Sequence, residues 1–259
     1  MKSKVILVSI DGMRSDALQQ CGNPFVKKLE QMCTYNYDSL SVFPSVTFPC
    51  HFSMTHSVPP QRHGILNNTY IPQVRPVSGI FEKVRQNGGT TALFYNWDYL
   101  RDLALPGGYS ISSYSDIALD DRSDDTVTDN CLNAISKYHP DFVMLYMVDL
   151  DEKGGHDCGW MSEEYMRRLS IAIDNVARVL HAFGDEYSII LTSDHGGHDR
   201  NHGSDMPEDM VIPLFLYGPH FEEGKIIQNT SLLDIAPTAA AILDIAPDPA
   251  WEGRSLINR

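Results

Sequence analysis

The stretch Phe43-Pro44-Ser45-Val46-Thr47-Phe48-Pro49-Cys50-His51 is the segment around which the rest of the chain is organised. Prolines on both sides of Thr47 predict a fixed turn rather than the interior of a regular strand or helix. Proline is accepted in the first turn of a helix, so the residues after Pro49 are predicted to be helical. The Thr47 hydroxyl would then lie near a helix N-terminus, where an anion is stabilised. A bare hydroxyl is a weak nucleophile and needs a base or a metal ion to activate it.

Acidic residues and histidines follow three segments that have the apolar pattern of buried parallel strands, namely 5–10, 142–148 and 187–191. Parallel strands of an open α/β sheet bring their carboxyl ends to one edge, so the side chains after these segments are expected to meet. They are Asp11, then Asp149, Asp151 and His156, then Asp194 and His195, with His198 and His202 close behind. Mixed carboxylate and imidazole ligands indicate zinc, with manganese or iron as alternatives. Thr47 is therefore interpreted as a metal-activated nucleophile.

Strand and helix patterns alternate along the chain. Helices are predicted within 13–20 and 25–32, and over 78–86, 123–138, 162–183 and 232–243. Strands are predicted over 5–10, 40–43, 91–95, 142–148, 187–191 and 211–217. This alternation predicts one α/β domain over residues 1–259, a three-layer α/β/α sandwich with a mostly parallel central sheet.

The composition limits the classes of partner and compartment. A formal net charge of −14 argues against binding of a nucleic-acid polymer, which depends on clustered lysine and arginine. The five cysteines are odd in number and show no CxxC spacing, so neither a disulfide framework nor a zinc knuckle is indicated. No signal-peptide pattern follows Met1, and no apolar run reaches the roughly 18 residues that span a bilayer. We therefore expect a cytoplasmic protein without a membrane partner.

Seven short motifs carry a resemblance to a known family. They are Ile10-Asp11-Gly12-Met13-Arg14, Pro44 to His51, Arg62-His63-Gly64-Ile65, Asp151 to His156, Ser193-Asp194-His195-Gly196, His202-Gly203 and Asp234-Ile235-Ala236-Pro237-Thr238. With them the chain resembles the type I phosphodiesterase/nucleotide pyrophosphatase family of the alkaline phosphatase superfamily. The motifs extend from residue 10 to residue 238, so the resemblance covers nearly the whole chain.

The resemblance implies an alkaline-phosphatase-like fold and a centre of two divalent metal ions, zinc first among them. By motif, one ion would be held by Asp11, Thr47, Asp194 and His195, and the other by Asp151, His156 and His202. It also implies hydrolysis of a phosphodiester or nucleotide pyrophosphate bond through a phosphothreonine at Thr47. The substrate would be a small phosphorylated compound such as a nucleotide.

Several points stay open at this stage. Cys50 stands where the family has an asparagine that binds a phosphoryl oxygen, and it is either a substrate contact or a small buried core residue. Tyr95, Trp97 and His198 are further candidate substrate contacts, with packing as the alternative for the two aromatic residues. Asp149 and Glu152 are alternatives to Asp151 as a ligand, and His56 is expected at the surface. A phosphomonoesterase or an inactive, metal-stabilised binding module are the alternative functions. The leaving group, the native metal and the oligomeric state are undetermined.

Overall fold

A seven-stranded sheet runs through the protein, whose computed structural model describes residues 3–257. Its strands are β1 (Val5–Ile10), β2 (Thr34–Leu40), β3 (Thr91–Tyr95), β4 (Ile111–Tyr114), β5 (Phe142–Met147), β6 (Ser188–Thr192) and β7 (Val211–Tyr217). They follow the order β2-β7-β6-β1-β5-β3-β4. The five strands from β6 to β4 are parallel, and β7 is antiparallel to both β6 and β2. The predicted mostly parallel sheet is confirmed.

Helices cover both faces of this sheet. They are α1 (Ser15–Gln20), α2 (Pro24–Met32), α3 (Thr47–His56), α4 (Pro60–His63), α5 (Ile80–Gln86), α6 (Ser123–Tyr138), α7 (Glu163–Phe183), α8 (Pro207–Met210) and α9 (Ile235–Ile242). The segment Leu150–His156 is a π-helical turn, and Asp98–Leu103 and Leu232–Asp234 are 3₁₀ turns. The helix α7 begins where its sequence predicts, because Ser162 Oγ accepts a hydrogen bond from the Tyr165 N–H at the helix N-terminus.

The central strand β1 is buried on both faces, which explains its continuous apolar sequence. Val5 and Leu7 belong to the core layer shared with α3, α5 and α9, whereas Ile6, Val8 and Ile10 belong to the layer shared with α1, α2, α6 and α7. Each such side chain contributes about 1.5–3 kcal/mol through removal from water. The two apolar layers on either side of one sheet confirm the α/β/α sandwich.

Two edge strands differ from the prediction. The strand predicted at 40–43 is wrong: β2 occupies Thr34–Leu40, and the following residues form the turn before α3. This strand was missed because its buried positions are polar, with Thr34 Oγ1 donating to Glu222 O and Asn36 Nδ2 donating to Thr230 Oγ1. The other edge strand, β4, was not predicted, because it is only four residues long and alternates between exposed and half-buried positions.

The helix α3 is more deeply enclosed than its sequence suggested. All ten of its residues are buried, so the expected surface position of His56 is wrong. The His56 ring stacks on Phe52 at 3.8 Å between centroids, and its burial lowers the pKa to about 3. The helix begins at Thr47 itself, two residues before Pro49.

The sheet order places the functional segments side by side. The strand β1 lies between β5 and β6, with Ile10 opposite Met147 and Ser9 opposite Thr192. The residues that follow these three strands therefore emerge at one edge of the sheet. Within residues 3–257, no helix has the length and apolar character needed to cross a membrane. The cytoplasmic location stays a prediction.

Candidate metal centre and active site

Three buried carboxylates, those of Asp11, Asp151 and Asp194, meet at this edge. Within residues 3–257, each keeps one buried oxygen without a hydrogen-bond partner: Asp11 Oδ1, Asp151 Oδ1 and Asp194 Oδ2. The opposite oxygen of Asp11 accepts a short hydrogen bond from Tyr146 Oη, and that of Asp194 accepts one from the Gly12 N–H at 3.2 Å. Buried polar atoms of folded proteins are normally paired, so three orphaned oxygens in one place indicate a positively charged ligand.

The electrostatics of the carboxylates support this interpretation. Burial, followed by repulsion from Asp194, raises the pKa of both Asp11 and Asp151 well above the usual aspartate value. Burial also raises the pKa of Asp194. A divalent cation among these groups would offset both causes and allow all three to ionise.

Three histidines surround the carboxylates in a common orientation. The Nδ1 atoms of His195, His202 and His156 lie 2.8, 2.8 and 3.0 Å from the backbone oxygens of Gly196, Ser45 and Arg200. Because a carbonyl oxygen only accepts, each Nδ1 carries the hydrogen and each Nε2 keeps its lone pair. This arrangement is typical of histidines that bind metal through Nε2. Burial lowers the pKa of His195 and His202 to about 3, so their rings are neutral at pH 7.

The ligand atoms form two overlapping groups. One contains Asp11, Asp194 and His195, the other Asp151, His195 and His202, with all ligand atoms of a group within 4.8 Å of one another. His156 adjoins the second group, since its Nε2 is 3.4 Å from Asp151 Oδ2. The donor set of carboxylates and neutral imidazoles fits divalent metal ions.

Thr47 lies at this centre as the first residue of α3. Its Oγ1 is 3.1 Å from His195 Nε2, which is itself 3.3 Å from Asp11 Oδ1 and from Asp194 Oδ2. The neighbouring Phe48 N–H donates to Asn68 Oδ1 at 3.0 Å. The hydroxyl therefore has both the ligand groups and the N-terminal end of a ten-residue helix beside it.

The alternatives to Asp151 as a ligand lie elsewhere. Asp149 accepts hydrogen bonds from Ser123 Oγ and the Asp124 N–H, and its Oδ1 is 3.0 Å from Lys153 Nζ. It therefore binds the N-terminal end of α6. Glu152 belongs to neither group of ligand atoms. Asp151 is the acid of this loop that the structure brings into the centre.

The weaker substrate contacts have different surroundings. Cys50 is fully buried, its Sγ faces Ser41 Oγ and two backbone oxygens, and its contact with substrate stays a prediction. Its family position is thus filled by a small core residue. Tyr95 is nearly buried against Tyr114, and Trp97 is half-buried against Tyr99. Their contacts with substrate stay predictions.

His198 points to a carboxylate outside both ligand groups. Its Nδ1 is 2.7 Å from Asp209 Oδ1, and this hydrogen bond raises the pKa of His198. Asp209 Oδ2 also accepts from the N–H and the hydroxyl of Ser204, so the pair fixes the loop that carries His202. The substrate contact of His198 stays a prediction.

Two models of known protein families match consecutive parts of the chain. The family model of type I phosphodiesterase/nucleotide pyrophosphatase matches residues 5–88, which contain Asp11 and Thr47. The metalloenzyme superfamily model matches residues 103–247, more than half of the chain, with all the other ligand residues. The chain belongs to the metalloenzyme superfamily. The resemblance inferred from the motifs is confirmed.

Individual relatives agree with this assignment. Rat ectonucleotide pyrophosphatase/phosphodiesterase family member 1 is 27% identical over 221 residues, which cover 74% of this chain and 24% of the relative. Mouse bis(5'-adenosyl)-triphosphatase enpp4 is 23% identical over 266 residues, covering 92% and 54%. The chain spans about a quarter of the length of the first of these relatives.

Solved structures share the fold. An inactive variant of murine ectonucleotide pyrophosphatase/phosphodiesterase 5 in complex with AMP superposes with a TM-score of 0.81 at 14% identity, covering 95% of this chain and 96% of the other. The phosphonate monoester hydrolase of Silicibacter pomeroyi superposes with a TM-score of 0.77 at 17% identity, covering 98% and 76%. The alkaline-phosphatase-like fold is therefore confirmed.

Sequence reasoning missed the buried residues that contact Thr47 and the ligand carboxylates and thereby orient them. His51 is fully buried with its Nδ1 2.8 Å from Thr47 O and 3.4 Å from Asp194 Oδ2, and its Nε2 contacts Ser9 Oγ at 2.9 Å. Tyr146 holds Asp11 from the neighbouring strand. A polar residue inside an otherwise apolar strand, such as Ser9 in β1 or Tyr146 in β5, was the available signal.

Proposed function

We propose that the protein hydrolyses a phosphodiester or nucleotide pyrophosphate bond through a covalent phosphothreonine at Thr47, with two zinc ions as cofactors. The observation that carries the proposal is the position of the Thr47 hydroxyl. It lies 3.1 Å from His195 Nε2, beside buried carboxylate oxygens that have no hydrogen-bond partner among the described residues. A threonine buried for packing alone would not need such surroundings.

Each ion would have its own ligand set, in accord with the resemblance. Asp11, Asp194, His195 and Thr47 would hold one, and Asp151, His156 and His202 the other. When bound, such ions lower the pKa of the threonine hydroxyl and neutralise charge on the phosphoryl oxygens. The backbone carbonyls that bind the Nδ1 hydrogens keep the imidazoles in the required tautomer.

The reaction at Thr47 has two displacements. Thr47 Oγ1 gives up its proton to solvent and forms a bond to phosphorus while the bond from phosphorus to the leaving oxygen breaks, and that oxygen departs with the electron pair. Water then adds to the same phosphorus with loss of a proton, and the Thr47 oxygen leaves and takes up a proton, which regenerates the hydroxyl. The positive N-terminal end of the α3 dipole stabilises the negative charge of the phosphoryl group beside Thr47.

The charges around the site favour a diester over a monoester. Among the described residues, no lysine or arginine is one of the main causes of the altered pKa values of Asp11, Asp151 and Asp194. Arg14 is the basic residue bonded to the loop after His195, and its guanidinium binds Gly197 O and Asp16 instead. A singly charged diester therefore needs less compensation here than a doubly charged monoester. The nucleotide-related names of the relatives support a nucleotide substrate.

The decisive experiment combines substitution with chemical trapping. Thr47→Ala should abolish turnover of an aryl phosphodiester in zinc-loaded protein, and Thr47→Ser should retain part of it because the hydroxyl survives. Acid quenching of the serine variant or the wild type, followed by mass spectrometry, should detect a phosphoryl adduct on the peptide that contains residue 47.

The exposed residue Thr69 provides the matched control, because Thr69→Ala removes a solvent-exposed threonine hydroxyl and should leave turnover unchanged. Wild-type turnover by Thr47→Ala would show that water attacks the substrate directly. The covalent step would then be refuted even if the protein binds zinc.

A further inference from the structure

Trp160 is a nearly buried tryptophan, 7% exposed, that contacts both halves of the candidate metal centre. The first half is the ligand set with Asp11, and the second half is the ligand set with Asp151. Its Nε1–H donates to Gly12 O at 2.9 Å, next to Asp11 in the first half. Its ring meets the His156 ring at 5.2 Å between centroids and the His202 ring at 6.0 Å, both nearly edge to face. These two histidines belong to the second half.

Two glycines allow this ring to lie so close to the ligand loops. A Cβ atom on Gly155, the residue before His156, would lie 2.6 Å from the Trp160 ring. A Cβ atom on Gly197, two residues after His195, would lie 2.2 Å from it. Real Cβ atoms do not approach a ring that closely, so glycine is required at both positions. The indole is therefore enclosed between the two loops that carry the histidine ligands.

Gly12 is the point at which the halves meet. Its carbonyl accepts a second hydrogen bond, from Tyr165 Oη at 2.8 Å, so α7 also holds it. Its φ angle of +66° belongs to the left-handed region, and a Cβ atom there would lie 2.6 Å from Asp151 Oδ1. The backbone beside Asp11 thus packs directly on the ligand of the other half.

We propose that Trp160 is a positioning residue that fixes the position of Asp151, His156 and His202 relative to the Asp11 half of the centre. This inference rests on the proposed two-ion site. A tryptophan that only filled the core would satisfy its N–H on any carbonyl. Trp160 instead donates its N–H to Gly12, which follows Asp11 in the chain and packs against Asp151 in space. Its ring also packs against the imidazoles of His156 and His202. Removal of the indole should therefore loosen one ion selectively.

The test compares two tryptophans that make equivalent hydrogen bonds. Trp160→Phe removes the donor to Gly12 O, and Trp251→Phe removes a donor to Ser78 O at 2.8 Å, in the core layer on the other face of the sheet. Metal-free protein is titrated with zinc against a chromogenic chelator, which reports the affinity of each ion. Loss of a group that orients metal ligands typically weakens binding by about 10–100-fold. We expect this loss for one of the two ions in Trp160→Phe alone, while the other ion changes by less than about threefold.

The outcomes separate this inference from the proposed function. Wild-type protein that binds no zinc would refute the proposed function itself. Wild-type protein that binds two ions, with unchanged or equally weakened binding of both in Trp160→Phe, would overturn the role of Trp160 alone. Circular dichroism establishes that each variant is folded. If Trp160→Phe does not fold, Tyr165→Phe removes the other donor to Gly12 O and should weaken the same ion, and unchanged affinity in that variant would overturn the inference.

Discussion

The substitution Asp124→Asn should make the stability of the protein less dependent on pH. Asp124 is a buried acid at the start of α6 whose Oδ1 accepts hydrogen bonds from Asn96 Nδ2 at 2.7 Å and the Asp149 N–H at 3.2 Å. Asp149 in turn accepts from Ser123 Oγ and the Asp124 N–H. This reciprocal pair of carboxyl groups fixes the chain two residues before Asp151.

The magnitude follows from the pKa of Asp124. Burial, and then the negative charge of Asp149, raise this pKa from its ordinary value of 3.8 to about 7. An acid whose pKa is higher in the folded state binds more protons there, so the free energy of unfolding falls as pH rises from about 4 to about 7. A difference of about three pH units, at about 1.4 kcal/mol each, gives a loss of about 4 kcal/mol from this group.

An asparagine side chain has nearly the shape of the protonated acid and cannot ionise. Its Oδ1 can still accept from Asn96 and from the Asp149 N–H. At about pH 4 and below, the variant should therefore match the wild type within about 1 kcal/mol. At pH 8 it should be more stable than the wild type by up to about 4 kcal/mol.

The free energy of unfolding is measured in urea on chelator-treated protein at pH 5, 6, 7 and 8. The difference between variant and wild type isolates Asp124, because the other titratable groups contribute equally to both proteins. Asp129→Asn, on the exposed side of the same helix, is the control and should show a difference that changes by less than about 1 kcal/mol over this range. A constant difference for Asp124→Asn would refute the argument, as would a variant that loses stability relative to the wild type as pH rises.

Three further predictions concern the centre itself. Chelation should abolish turnover and zinc or manganese should restore it, and full activity in protein that elemental analysis shows to be free of transition metals would contradict the metal dependence. Tyr146→Phe removes the donor to Asp11 Oδ2; a hydrogen bond to a charged group contributes roughly 1.5–3 kcal/mol, so zinc titration should show about 10–150-fold weaker binding in the Asp11 half. Matched aryl esters should give a higher kcat/KM for the diester than for the monoester, and a monoester preference of about a hundredfold, or about 2.7 kcal/mol, would contradict the charge argument.

The sequence predicted the parts of the fold in which burial and residue type agree. The strands β1, β5 and β6 are apolar on both faces, and the acids after them come together because these strands are neighbours in the sheet. The strands β2 and β4 lie at the edges, where polar residues are tolerated and the apolar pattern is lost. Edge position is decided by tertiary packing, so no local pattern could have revealed it.

Some residues of the candidate site could likewise be predicted from the sequence, and others could not. Acids and histidines that follow strands were predictable from residue type and position, and the Thr47 turn from its two prolines. Asn68 and Trp160 were not, because each lies in a connection whose path depends on the rest of the fold. The fully buried state of Cys50 was equally hidden, since a cysteine near a nucleophile is compatible with both the core and the site.

The orphaned oxygens connect the stability of the fold with its function. A buried acceptor without a partner costs about 1–3 kcal/mol, and Asp11, Asp151 and Asp194 each contribute one such atom. Their combined cost is a large part of the 5–15 kcal/mol that stabilises a typical domain. Tyr146 and the Gly12 N–H bind the opposite oxygens of Asp11 and Asp194. His51 Nδ1 lies 3.4 Å from Asp194 Oδ2 but gives its hydrogen bond to Thr47 O, so that oxygen still lacks a hydrogen-bond partner within the described part of the chain. A chain selected only for stability would replace such acids with apolar residues. Their presence after three adjacent strands therefore argues that the arrangement serves to bind a positively charged ligand.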